Sequence, residues 1–198
     1  MLDESSAEAL FDRICRGRVR PAEIFAPGHL FARICQRLWG PAAGREMYLA
    51  YMSPGDSGAG PVARVWWSVT ATLARLRAQP APRGIDWKAE HAHWLRRLAH
   101  SREALVHARA AARLSDREDI RWFAQSLDIG TRFAEALVDA LQLRIKDDPA
   151  VRTHLARTLR DLEAHIPTVT RMEKTDILGG DPGCWLESIA NLRKMYGL

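Results

Sequence analysis

A chain of 198 residues with 47% hydrophobic and 27% charged side chains has enough apolar material for one sizeable core, which excludes a disordered chain. No run approaches the roughly 18 apolar residues needed to cross a bilayer, and the start, Met1-Leu2-Asp3-Glu4, lacks the basic-then-apolar layout of a secretory signal. A cytoplasmic chain with no membrane partner is expected. The net charge of +5 admits an anionic ligand, but most arginines alternate with acids along helix faces, so nucleic acid is not the expected partner.

Proline after glycine or a capping residue punctuates the chain, at Ala26-Pro27, Gly40-Pro41, Gly60-Pro61, Asp148-Pro149 and Asp181-Pro182. Proline is favoured in the first turn of a helix, where its missing N–H costs nothing. The punctuation predicts helices near 3–16, 28–38, 42–52, 61–78, 86–114, 116–146, 149–165 and 182–196. No period-2 alternation places a strand. The expected fold is all-α, an irregular multi-helix bundle of about seven or eight helices, in a single domain over residues 1–198.

The first segment carries the densest basic cluster, Arg13, Arg16, Arg18 and Arg20, and Arg16, Arg18 and Arg20 are candidate binding residues. Next come Trp39 and Gly40 at a helix end, then a loop over Ser53–Gly60, too rich in Gly and Pro for a helix. The helix near 61–78 puts Val62, Val65, Trp66, Val69, Leu73 and Leu76 on one stripe and Trp67 on the opposite side. Trp67 therefore reads as a residue of a doubly buried helix or as an aromatic contact for a partner.

The two long helices that follow carry apolar stripes: Trp87, His91, Trp94, Leu98, Leu105, Ala108 and Ala112, then Ile120, Phe123, Leu127, Gly130, Ala134, Leu137, Leu141 and Ile145. Ser115 and Glu118 have capping-box spacing, which predicts a tight antiparallel hairpin. Gly130, at the centre of its stripe, would allow a close helix–helix approach.

Little in the chain reads as chemistry. Glu90-His91-Ala92-His93 contains a single Glu-x-x-His, whereas a di-metal bundle needs that motif twice with two further glutamates, so no metal and no cofactor is expected. His93, His100 and His107 recur every seven residues and read as a solvated flank. Asp128, Arg132, Glu135 and Asp139 read as a surface ion-pair ladder, with Asp128 and Arg132 in the favourable i,i+4 order. Cys15, Cys35 and Cys184 are odd in number, form no Cys-x-x-Cys pair and lie in apolar helical patterns, as inert buried thiols do. The Gly-rich turn at Leu178–Gly183 has neither a dinucleotide fingerprint nor a P-loop lysine.

Residues 25–52 read Phe-Ala-Pro-Gly-His-Leu-Phe-Ala-Arg-Ile-Cys-Gln-Arg-Leu-Trp-Gly-Pro-Ala-Ala-Gly-Arg-Glu-Met-Tyr-Leu-Ala-Tyr-Met. This resembles the helical region that follows the catalytic barrel in large glycoside hydrolases. A helix ends in an aromatic and Gly (Leu38-Trp39-Gly40), a small-residue turn follows (Pro41-Ala42-Ala43), and the next helix carries Met47 and Tyr51. The paired Trp66 and Trp67 suit the same kind of accessory bundle, and the resemblance extends over residues 25–80. It implies a non-catalytic helical domain packing on another protein module or on itself, with Trp39 and Trp67 as contact residues. The catalytic carboxylates of those enzymes lie on the barrel, so none carries over and no activity of its own is expected. The alternative is a stand-alone helical binding protein for nucleic acid or a small ligand, acting through Arg16, Arg18 and Arg20.

Overall fold

The computed structural model describes residues 30–52, 71–78, 84–170 and 182–198. The expected helix near 3–16, the Arg13–Arg20 cluster, Trp66, Trp67, the 53–60 loop and most of the Leu178–Gly183 turn lie outside the described residues. The described residues form seven helices and no strand, an all-α multi-helix bundle. They are α1 (Leu30–Trp39), α2 (Pro41–Met52), α3 (helical residues 71–77), α4 (Trp87–Leu114), α5 (Glu118–Ile145), α6 (Pro149–Thr170) and α7 (Pro182–Tyr196).

Three helices open on proline, at Pro41, Pro149 and Pro182, where the sequence placed their starts. Asp86 caps α4, its Oδ1 accepting from the backbone N–H groups of Lys88 and Ala89 at 3.0 Å each. Asp148 Oδ1 accepts from Ala150 N at 2.9 Å at the start of α6. The expected Ser115–Glu118 capping box does not form. Ser115 Oγ accepts instead from Arg117 N at 3.3 Å, closing a local turn two residues early, so α5 begins at Glu118 with no side-chain cap. Its hairpin with α4 forms all the same, and so does the α6 helix, which runs past residue 165 to Thr170.

The central element is α5. It buries 15 of its 28 residues, against 7 of 28 in α4. Its predicted stripe is buried from Ile120 to Leu141, and Ser126, Ile129, Thr131, Phe133, Ala136 and Leu143 add burial on other sides. Neighbours α4 and α6 flank it, and α7 closes over it with Phe133 meeting Trp185 edge-to-face at 5.3 Å. Tyr196 OH, at the end of α7, donates to the Ala140 carbonyl of α5 at 2.6 Å, and burial pushes this phenol up to about 12. Arg152 on α6 also reaches the Tyr196 carbonyl.

Trp94 on α4 is fully buried, and its indole N–H donates to Thr72 Oγ1 of α3 at 3.1 Å. Arg75 and Thr72 both bond Glu90, which fastens α3 to the start of α4. Leu73 and Leu76 are buried, so the described part of that helix faces the core through the residues its stripe assigned.

Candidate functional site

Trp39 is the one sequence-assigned binding residue among the described residues, and it marks the corner where α1 turns into α2. Gly40 ends α1 at φ +83°, a left-handed conformation that favours glycine, and Gly40 O takes the first helical bond of α2 from Gly44 N at 2.8 Å. The two helices then lie so close that a Cβ on Gly44 would sit 2.6 Å from the Cys35 carbonyl carbon.

An aromatic row lines this corner. Phe31 meets Tyr48 and Tyr51 at 5.9 Å, Trp39 lies parallel to Tyr51 at 6.4 Å, and Tyr51 stacks on Phe123 of α5 at 4.7 Å. Polar groups fasten the corner to the α4–α5 turn. Trp39 Nε1 donates to Asp119 Oδ2 at 2.9 Å, Arg117 grips both Asp119 oxygens at 3.0 and 2.9 Å, and Arg117 Nη1 reaches the Leu38 carbonyl at 3.0 Å. The Arg117 hydrogen bond, helped by the Trp39 indole and opposed by partial burial, holds the Asp119 carboxyl below the usual aspartate range. Trp39 thus has one edge committed to the bundle.

The surface beside Trp39 is apolar and basic. Ile34 is 41% exposed and Leu38 51%, one turn apart on α1, and Leu114 at the end of α4 is 56% exposed. The Arg117–Leu38 bond sets the Leu38 turn against the chain three residues past Leu114. Pro41 and Ala42 are exposed at the start of α2, and Val106, 63% exposed, lies two turns before Leu114 on α4. Around them stand Arg33, Arg37, Arg45 and Arg113, all exposed and none in an ion pair or side-chain hydrogen bond among the described residues.

The acids on the polar face of α5 are tied to other helices. Asp128 and Arg132 pair at 3.2 Å as their spacing predicts, but this face of α5 is not a surface ladder. Arg109 of α4 also holds Asp128 at 2.9 Å, Arg102 of α4 holds Glu135 at 2.6 Å, and His154 Nδ1 of α6 donates to Asp139 Oδ2 at 2.6 Å. The reason is that α5 is enclosed on both flanks, which turns its polar face into two interhelical seams. Burial pushes the Asp139 carboxyl up, against the lowering effect of His154. His107 likewise departs from the expected solvated flank, pairing with Glu46 of α2 at 2.8 Å in a half-buried seam.

Glu90 and His93 do not act together. The first is held by Arg75 and Thr72, and the second lies edge-on to Trp94 at 6.4 Å. Among the described residues no three His, Cys, Asp or Glu side chains come together as a metal site requires. Cys35 is buried, and burial pushes its thiol up to about 11, far from the thiolate a nucleophile needs. No described helix is long and apolar enough to cross a membrane. No protein-family model, curated protein or solved structure matches the chain.

Proposed function

We propose that this chain is a non-catalytic helical domain that packs on a partner module, the role implied by its resemblance to the helical regions behind glycoside hydrolase barrels. The observation that carries the reading is the apolar corner of Ile34, Leu38 and Leu114. A helix whose apolar arc is only half covered gains by burying the rest against another protein, at about 25 cal/mol per Å² of apolar surface. The committed acids and histidines of the α4–α5–α6 seams support it too, since side chains that hold helices together are poorly placed for acid–base turnover.

Two measurements test the proposal together. The purified chain should turn over none of a panel of aryl glycosides. Co-expressed with the proteins encoded beside it, wild type should co-elute with one of them in size exclusion, while a Leu38→Asp/Leu114→Asp variant of unchanged melting temperature should elute alone. Turnover by the isolated chain would overturn the reading, and so would identical elution of wild type and variant.

The second reading, a stand-alone binder of nucleic acid, is favoured by Arg33, Arg37, Arg45 and Arg113, exposed and without an ion pair among the described residues. It predicts sub-micromolar binding to duplex DNA at about 150 mM salt, with an affinity that falls steeply as salt rises.

A further inference from the structure

We draw no further inference here: the strongest candidate, the side-chain cluster of Asp139, His154 and His91 across α4, α5 and α6, belongs to the interhelical seam already described and beyond that seam rests only on the carboxyl that burial pushes up, since no three such side chains converge as a metal site requires among the described residues.

Discussion

Gly44→Ala isolates the contact that sets the α1–α2 corner. The new Cβ would lie 2.6 Å from the Cys35 carbonyl carbon and closer still to its oxygen and to Gln36 Cα. All three atoms are backbone, so no side chain can rotate away and α1 must back off as a whole. Overpacking of this kind costs about 1–3 kcal/mol, at the upper end where backbone has to move. Alanine's better helix propensity opposes it by about 1 kcal/mol. The net expectation is a loss of about 2 kcal/mol, which lowers Tm by about 4–8 °C in a chain of this size. Backing off also loosens the Trp39–Asp119 hydrogen bond, so tryptophan fluorescence should shift in the folded variant. The control is Ala42→Gly on the exposed side of α2, which loses propensity alone, about 1 kcal/mol, with no spectral change. A Gly44→Ala protein that melts at or above wild type would show that propensity outweighs the clash, and the close approach would lose its role.

The parts of the fold legible in the sequence are those set by local chemistry. Pro41, Pro149 and Pro182 announce helix starts because a proline ring suits a first turn whatever the tertiary contacts. The stripes of α4 and α5 were readable because a 3.6-residue period needs no partner to be seen. What stayed hidden depends on residues far apart in the chain. Gly130 looked like the close-contact glycine and is buried; the backbone approach at Gly44, which excludes a side chain, is visible only once α1 folds back on α2. Asp128, Glu135 and Asp139 looked like a solvated face because their partners Arg109, Arg102 and His154 come from other helices. Trp39 stood out as an aromatic before a glycine, but its indole partner Asp119 is 80 residues on. The Arg-apolar corner was missed for the same reason. Leu38 and Leu114 are ordinary helix-end residues until Arg117 draws the two ends together.

Cys35 should resist a thiol reagent in the native protein at neutral pH and react on unfolding, read by peptide mapping so that Cys15 and Cys184 are scored apart; rapid native labelling of Cys35 would contradict its burial. Ser126 Oγ is buried without a hydrogen-bond partner among the described residues, so Ser126→Ala should raise stability by up to about 1 kcal/mol in urea melts, and a clear loss would reveal a partner. Asp139→Asn turns on a sign. The folded carboxyl titrates above the ordinary value of 3.8 because burial outweighs the His154 hydrogen bond. An acid that holds its proton more tightly when folded costs nothing at low pH. Its cost grows as pH rises from the unfolded pKa through the raised folded one, and it is complete at neutrality. Asparagine keeps an acceptor for His154 and removes the titration. The variant should therefore be more stable than wild type at pH 7, and the difference should close as pH falls below 3.8. A variant less stable at pH 7, by a margin that widens with pH, would mean that the ion pair with His154 outweighs the burial of Asp139.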